Sequence, residues 1–341
     1  MTEPIPVFVL TGFLGSGKTT LLKSLLADRE MQDTAVIVNE FGEVGLDHLL
    51  VREVTDEIVL LGSGCVCCTV RDDLVSTLSE LHALRETGEI TRFSRVVVET
   101  TGLADPAPIL TTLMEGRGLA GRYALCGLIA TVDAMFGAGQ LDAHEEARKQ
   151  AALAERLILT KTDLAAPEAR QVLRDRLHAL NPAASVVEST PQTLPGARLL
   201  LGLENIRGRL ASRAVNEWIN AEAYVPTGTR DRKPHHDERI GTFCIRIVEP
   251  LAWEPVIEWL ELLLASRGES VLRMKGLLHV AGKRGPLVMQ GVQHILYPPL
   301  ELARWPDEDR STRLVFITRD LTRSAVETSL RQVLGADVAI A

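Results

Sequence analysis

The strongest constraint on the fold is a phosphate-binding pattern close to the start of the chain. An apolar run from Val7 to Leu10 is followed by Gly-x-x-x-x-Gly-Lys-Thr over residues 12–19, and then by a helical pattern. Glycines let such a loop curl until its backbone N–H groups converge on a phosphate. The strand before the loop and the helix after it predict an α/β protein that binds a nucleoside triphosphate.

Each residue of this loop has a predicted task. Lys18 is expected to reach the β- and γ-phosphates and to serve catalysis, and Thr19 to offer its hydroxyl to Mg²⁺. The predicted nucleotide-binding residues here are Gly12, Gly15, Ser16, Gly17, Lys18, Thr19 and Thr20. The helix that follows is expected to bury an apolar stripe of Leu21, Leu22, Leu25 and Leu26.

Composition excludes several classes of function. The 341 residues predict two domains. A net charge of −8 argues against binding to nucleic acid or to an anionic membrane. No apolar run approaches the roughly 20 residues of a membrane span. The first residues lack a signal-peptide layout, so we expect a cytoplasmic protein.

The next strand patterns end in acidic loops. After the strand predicted at 35–38, Glu40 or Asp47 is expected to face Mg²⁺ and Glu43 a second metal ion. A solvated loop is the alternative for each of these carboxylates.

The apolar run over 95–98 is closed by Glu99, as in Walker B strands whose carboxylate orients Mg²⁺. Glu99 is therefore a candidate for both the magnesium site and catalysis. Gly102, three residues later, is expected to let the backbone approach the γ-phosphate.

Three of the five cysteines, Cys65, Cys67 and Cys68, lie within four residues, between a strand pattern and a helix pattern. A helix N-terminus favours thiolates, which bind late transition metals such as Zn²⁺. Three adjacent thiols predict an open, exchangeable metal site rather than a closed structural one. A redox pair of Cys65 with Cys68 and buried structural thiols remain alternatives. Cys126 and Cys244 lie in strand patterns and are expected in the core.

The segment Thr160-Lys161-Thr162-Asp163 follows another apolar strand and predicts the base-binding site. Guanine presents two adjacent donors, N1–H and N2–H₂, and a single carboxylate accepts both. Asp163 therefore favours GTP over ATP. Lys161 is expected to pack along the base and to brace the phosphate loop. A simple turn at the strand end is the alternative.

The remaining pattern predicts a second domain. Residues 226–241 are polar and suggest a linker, in which His235 and His236 are expected to be solvated. From residue 242 onward, strands and two helices alternate as in a small α+β domain with an antiparallel sheet. We predict a GTPase domain over 1–210, a connecting segment over 211–240 and a C-terminal domain over 241–341. His279 and His294 are expected opposite one another across a hairpin.

Together the loop over 12–19, the cysteine run over 64–68, Glu99-Thr-Thr-Gly102 and the segment 160–163 resemble the CobW-type GTPases. The resemblance also covers Arg273-Met-Lys275-Gly276 and spans the whole chain. It implies slow GTP hydrolysis coupled to delivery of Zn²⁺ or Co²⁺ to a client metalloprotein. It also places Glu40 near Mg²⁺. No arginine finger is evident in the sequence, which also predicts a slow intrinsic rate. Thr160 stands where many relatives have Asn, which predicts weaker bracing of the base site.

The leading hypothesis is therefore a GTP-dependent metallochaperone whose metal ligands are Cys65, Cys67, Cys68 and Glu43. A GTP-switched regulator without metal cargo and a redox-sensing GTPase are the alternatives. The sequence leaves open the client, the physiological metal and whether the chain forms a homodimer.

Overall fold

The structure is a computed structural model. It describes residues 3–38, 60–62, 70–115, 118–200, 203, 215, 218–224, 239–335 and 339–340. The chain forms two compact units, Met1–Arg176 with Ala184–Gly208, and Leu177–Ala183 with Arg209–Ala341. Each unit has its own sheet and its own apolar core.

The first unit is built on a seven-stranded sheet with the order β3-β2-β4-β1-β5-β6-β7. Every pairing within it is parallel. The strands are β1 (Ile5–Gly12), β2 (Thr34–Val38), β3 (Leu60–Gly62), β4 (Arg95–Glu99), β5 (Tyr123–Asp133), β6 (Arg156–Thr160) and β7 (Ser185–Glu188). Because the strands are parallel, the loops that leave β1, β4, β5 and β6 meet at one edge of the sheet, where α/β proteins bind ligands.

Six described helices accompany this sheet in the chain. They are α1 (Lys18–Leu26), α2 (Val70–Thr87), α3 (Ala107–Glu115), α4 (Gly137–Ala143), α5 (Glu145–Leu153) and α6 (Pro167–Leu180). The predicted stripe of α1 is confirmed, since Leu21, Leu22, Leu25 and Leu26 are all buried.

The second unit contains an antiparallel sheet with the order β11-β10-β9-β13-β8, to which β12 adds by pairing with β10. Its strands are β8 (Ile240–Ile247), β9 (Val271–Leu278), β10 (Leu287–Val292), β11 (Ile295–Leu296), β12 (Leu300–Glu301) and β13 (Thr312–Arg319). The helices α7 (Trp253–Arg267) and α8 (Arg323–Leu334) share an apolar core with this sheet. The predicted antiparallel α+β architecture is confirmed, although the short strands β11 and β12 were not anticipated.

Two histidines of this unit correct a prediction. The register pairs Leu278 with Leu287 and Met274 with Gly291, so His279 and His294 lie beyond opposite ends of the paired segment. The ring of His279 packs edge-on against Trp305, and Nδ1 of His294 lies 2.9 Å from the carbonyl oxygen of Leu264. The expectation that they face one another across the hairpin is therefore wrong.

Among the described helices, none combines the length and the apolar character needed to cross a membrane.

Candidate functional site

The phosphate-binding loop lies between the end of β1 and the start of α1. Gly12, Gly15 and Gly17 all have positive φ, at 144°, 71° and 93°. Gly17 is the N-cap residue of α1 and has no side chain to occupy the helix N-terminus. The first N–H groups and the positive dipole end of α1 are therefore available to an anion.

Gly12 is required for a further, steric reason. A Cβ atom there would come within 2.2 Å of the Thr131 hydroxyl and 2.7 Å of the Ser16 hydroxyl. These two hydroxyls are 2.6 Å apart and form a buried hydrogen bond. Ser16 was predicted to bind nucleotide, but its side chain is committed to β5, so its backbone is the part that remains for a phosphate.

Lys18 is buried and its Nζ donates to the carbonyl oxygens of Gly12 at 3.0 Å and Phe13 at 3.4 Å. These contacts hold the ammonium group over the loop. Thr20, by contrast, is exposed at the first turn of α1.

Two residues predicted at the magnesium site are in direct contact. The hydroxyl of Thr19 donates to Oε1 of Glu99 at 2.8 Å, and Glu99 is 5 % exposed. Thr19 is the second residue of α1, and Glu99 closes β4, the strand that pairs with β1. Hydroxyl and carboxylate oxygens are ligands suited to Mg²⁺, so this pair fits the ion.

The predicted base-binding segment follows β6. Nζ of Lys161 donates to the carbonyl oxygen of Gly15 at 2.8 Å, which is the predicted bracing of the phosphate loop. Lys161 holds an unusual φ of 56° for a residue with a side chain. Asp163 is exposed, so its carboxylate is accessible to a base.

Thr160 contributes to the bracing of the phosphate-binding loop. Its hydroxyl donates to the carbonyl oxygen of Ser16 at 2.7 Å in a buried contact. A threonine at this position therefore ties β6 to the phosphate loop, 144 residues away in sequence, through its hydroxyl.

Asp133, the last residue of β5, is a further residue of the site that was not predicted from the sequence. Its carboxylate is buried and lies 2.6 Å from Nζ of Lys161. Its other oxygen accepts from the N–H groups of Met135 and Phe136 at 2.8 and 3.2 Å. A buried carboxylate with these partners is satisfied, and it fixes Lys161. The sequence signal that could have identified Asp133 is the one that identified Glu99, an acidic residue at the end of an apolar strand.

The loop after β4 is held by different partners. A Cβ atom at Gly102 would lie 2.7 Å from the backbone nitrogen of Leu14, so this glycine is packed against the phosphate-binding loop itself. Asp105 accepts from the N–H of Ala107, the first residue of α3, at 2.9 Å.

Charged and polar residues of α5 contact the same loop. Nζ of Lys149 lies 2.8 Å from Asp105 and 3.2 Å from Glu145. Burial alone would lower the pKa of Lys149, but the two carboxylates outweigh it and raise that pKa above its usual value. The carboxamide of Gln150 also reaches this loop.

The predicted metal ligands cannot be placed. Cys65, Cys67, Cys68, Glu40, Glu43 and Asp47 lie outside the described residues, as do His235 and His236. Within the described ranges, no three His, Cys, Asp or Glu side chains cluster as metal ligands. Cys126 and Cys244 lie in β5 and β8 as predicted, and burial raises the pKa of the Cys244 thiol to about 11, which makes it a poor thiolate.

Comparison with known proteins decides the family. Residues 6–188 match the model described as CobW/HypB/UreG, nucleotide-binding domain, and residues 240–334 match the cobalamin synthesis protein cobW C-terminal domain. The chain belongs to the CobW/HypB/UreG family. The recognition from sequence motifs is thereby confirmed, as is the predicted class of enzyme, a P-loop GTPase.

Named relatives of this CobW-type chain are similar over nearly its full length. It is 35 % identical over 328 residues to the zinc chaperone YjiA of Escherichia coli, covering 96 % of this chain and 98 % of that protein. It is 31 % identical to the zinc chaperone CobW of Pseudomonas aeruginosa, covering 97 % and 92 %.

The crystal structure of Zn(II)-bound YjiA GTPase matches this CobW-type fold with a TM-score of 0.74 and 30 % identity, over 97 % of this chain and 99 % of that one.

Proposed function

We propose that this protein is a GTP-hydrolysing metallochaperone that binds zinc at its cysteine run and delivers it to a client protein under control of the nucleotide. The observation that carries the proposal is the full-length similarity to two zinc chaperones, joined to a phosphate-binding loop whose Thr19–Glu99 pair fits Mg²⁺. Cobalt is the second metal that thiolate ligands would accept.

The proposed division of labour within the GTPase site follows the contacts. Lys18, Thr19 and the loop amides hold the phosphates, while Thr19, Glu99 and Glu40 hold Mg²⁺ when it is bound. That ion supplies charge stabilisation to the transferring phosphoryl group. Gly102 carries its backbone up to the γ-phosphate side of the site. Positioning and charge supply most of the catalysis in such sites, which is consistent with a slow intrinsic rate.

Guanine selectivity is assigned to Asp163, with Lys161 packed along the base. Asp163 is exposed and lies two residues after Lys161. Because Lys161 bonds Gly15 and Asp133, the loop that presents the Asp163 carboxylate is held in place. Calorimetry with GTP and ATP tests this assignment. We expect GTP to bind at least 100-fold more tightly, and the preference to collapse in Asp163→Ala. Equal affinities in the wild type would refute it.

The proposed metal site is Cys65, Cys67, Cys68 and Glu43. The cysteine run connects Gly62, at the carboxyl end of β3, with Val70, the first residue of α2. In the sheet order, β2 and β4 separate β3 from β1. Three strand spacings of about 4.8 Å place the end of β3 roughly 14 Å from the strand that carries the phosphate loop. The nucleotide would therefore act on the metal site through the loops after β2 and β4.

Zinc affinity in the two nucleotide states tests the switch. We expect zinc to bind 5- to 150-fold more tightly with a non-hydrolysable GTP analogue than with GDP, the range of ordinary allosteric coupling. Cys67→Ala should lose the tight binding, and Cys126→Ala, a cysteine in β5, should keep it. The same coupling factor must appear in the affinity for the analogue with and without zinc.

Three outcomes distinguish the alternatives. No stoichiometric zinc in the reduced, analogue-bound protein would favour a regulator without metal cargo. Loss of zinc only on oxidation, with a disulfide between Cys65 and Cys68, would favour a redox sensor. Tight zinc binding that ignores the nucleotide would remove the switch from the proposal. Capture of a client by the wild-type protein loaded with a non-hydrolysable GTP analogue would then identify the acceptor and show whether a homodimer is involved.

The division of the chain into 1–210, 211–240 and 241–341, and its place in the cytoplasm, are further parts of this proposal. Limited proteolysis tests the division, because cleavage is expected within the polar segment that precedes β8.

A further inference from the structure

A glutamine of α5 holds the loop that carries Gly102. Gln150 is 1 % exposed, and its Nε2 donates to the carbonyl oxygens of Gly102 at 3.1 Å and Ala104 at 3.0 Å. Both partners are acceptors, so only the NH₂ end of the carboxamide can face them, which fixes its orientation. One buried side chain therefore ties down two peptide groups of the loop after β4.

The start of this loop is fixed from the other side. The N–H of Thr100 donates to the carbonyl oxygen of Leu10 at 2.9 Å, and the hydroxyls of Thr100 and Thr11 are 2.8 Å apart. Gly102 then packs against the backbone of Leu14. Its peptide is thus enclosed between the phosphate-binding loop on one side and the Gln150 carboxamide on the other.

The helix that carries Gln150 is itself anchored. The ring of His144, the N-cap residue of α5, stacks on Phe13 of the phosphate-binding loop with a centroid distance of 4.4 Å. Lys149 binds Asp105, and Glu155, just beyond the helix, accepts from the N–H of Leu128 at 2.8 Å. A helix fixed at both ends gives Gln150 a rigid base from which to hold the loop.

The other end of the carboxamide is not used within the described chain. Oε1 of Gln150 is buried and has no hydrogen-bond partner among the described residues. Gln150 also lines a small cavity together with Phe13, Thr131, Gly137 and Gln140. Most of the side chains that line this cavity are apolar. The donor end alone therefore makes the protein contacts that matter for the loop.

We propose that Gln150 is a positioning residue for GTP hydrolysis, acting through the carbonyl groups of Gly102 and Ala104. By holding these two peptides, it sets the distance between the loop after Glu99 and the γ-phosphate. It does not touch the nucleotide, and the phosphate-binding loop keeps its own braces from β5 and β6. This assignment rests on the proposed GTPase site, and it predicts that Gln150 affects turnover much more than nucleotide affinity.

The test compares two carboxamide-to-carboxylate changes that line the same cavity. Gln150→Glu replaces the donor end by an acceptor that faces two carbonyl oxygens. Gln140→Glu, on α4, introduces the same charge without a contact to residues 102–104. Steady-state and single-turnover GTP hydrolysis and GDP affinity are measured for both variants and for the wild type.

We expect Gln150→Glu to lower kcat 10- to 100-fold at pH 8, as displacements near 1 Å do in other enzymes. KM and GDP affinity should stay within about twofold, and Gln140→Glu should match the wild type throughout.

The pH profile isolates the donor function. A buried carboxyl that faces two carbonyl oxygens has a raised pKa, because its neutral form is favoured. The protonated form donates one hydrogen bond. The rate of Gln150→Glu relative to the wild type should therefore rise as the pH falls, whereas a packing defect would show no such recovery.

The outcomes that overturn the proposal are distinct from failure of the GTPase site. Turnover within twofold of the wild type in both Gln150→Glu and Gln150→Leu, with Lys18→Ala inactive, would overturn the positioning role alone. An equal loss of kcat and GDP affinity would overturn it too, since Gln150 would then support the whole domain. Should Gln150→Glu fail to bind GDP, Gln150→Asn decides, because it keeps the amide but shortens its reach and is expected to be slow with normal GDP affinity. An active Lys18→Ala would instead refute the GTPase site.

Discussion

The phosphate-binding loop after β1 is held mainly by residues at the ends of β5 and β6, whereas the loop after β4, beyond Thr100, is held mainly by α5. Hydroxyls of Thr131 and Thr160 bond Ser16, and the Lys161–Asp133 pair bonds Gly15. The loop after β4 depends on Gln150 and Lys149 of α5. The first set of bonds anchors the loop directly to paired strands of the sheet, whereas the second acts through two side chains of one nine-residue helix. The difference assigns binding to the first loop and adjustment of turnover to the second.

The largest expected effect comes from removing the positive charge of Lys18. Lys18→Ala should lower GTP hydrolysis by about 1000-fold or more, comparable to about 4 kcal/mol of lost charge stabilisation. The fold should survive, because the hydrogen bonds that Nζ of Lys18 donates to Gly12 and Phe13 lie within the phosphate-binding loop itself. Hydrolysis rate and thermal melting measure the two effects. Near-normal turnover in the folded variant would contradict the assigned role of Lys18.

The next prediction perturbs the loop after β4 at Gly102. Gly102→Ala should lower turnover about 100-fold, because the new methyl group would clash with the backbone of Leu14 and displace the loop. GDP affinity should fall much less, since the contacts of the phosphate-binding loop with β5 and β6 are unchanged.

Gly139→Ala is the matched control for this change. Gly139 lies in α4 with open space around its Cβ position, so the substitution should leave turnover and melting temperature unchanged or slightly raise stability. A turnover of Gly102→Ala equal to that of the control would show that the two loops are not tightly packed.

A third prediction perturbs the contacts that hold the phosphate-binding loop. Asp133→Asn removes the charge that pairs with Lys161, and should weaken GTP and GDP binding about tenfold each while kcat at saturation changes little. Titration calorimetry and saturating-substrate rates measure the two. Glu301→Gln, which removes an exposed pair with Lys283 in the second unit, is the control and should have no effect. A fall in kcat with unchanged affinity would show instead that the contacts of the phosphate-binding loop control turnover rather than binding.

The smallest expected effect concerns a single hydroxyl. Thr160→Val keeps the shape of the side chain but removes the hydrogen bond to the Ser16 carbonyl, which is worth about 1 kcal/mol, or roughly fivefold in affinity for GTP. Thr328→Val removes a hydroxyl bond to Ser324 within α8 and should leave binding unchanged. No difference between the two variants would show that Thr160 does not brace the loop.

The sequence by itself determined the local features of this protein. The glycine spacing over 12–19, the stripe of α1 and the strand closed by Glu99 each depend on neighbouring residues, and the structure confirms the corresponding elements. The family was recognised from four short motifs, because each motif has a fixed relation to a strand end.

Only the tertiary structure decided which distant side chains hold the site. Ser16 meets Thr131 across 115 residues, Gln150 meets Gly102 across 48, and Lys161 meets Asp133 across 28. Such pairs depend on the strand order β3-β2-β4-β1-β5-β6-β7, which brings β5 beside β1 although β2, β3 and β4 intervene in the chain. A pattern of neighbouring residues carries periodicity and turn chemistry, but the partners of a polar side chain depend on which strands pair, and that is settled by packing of the whole sheet.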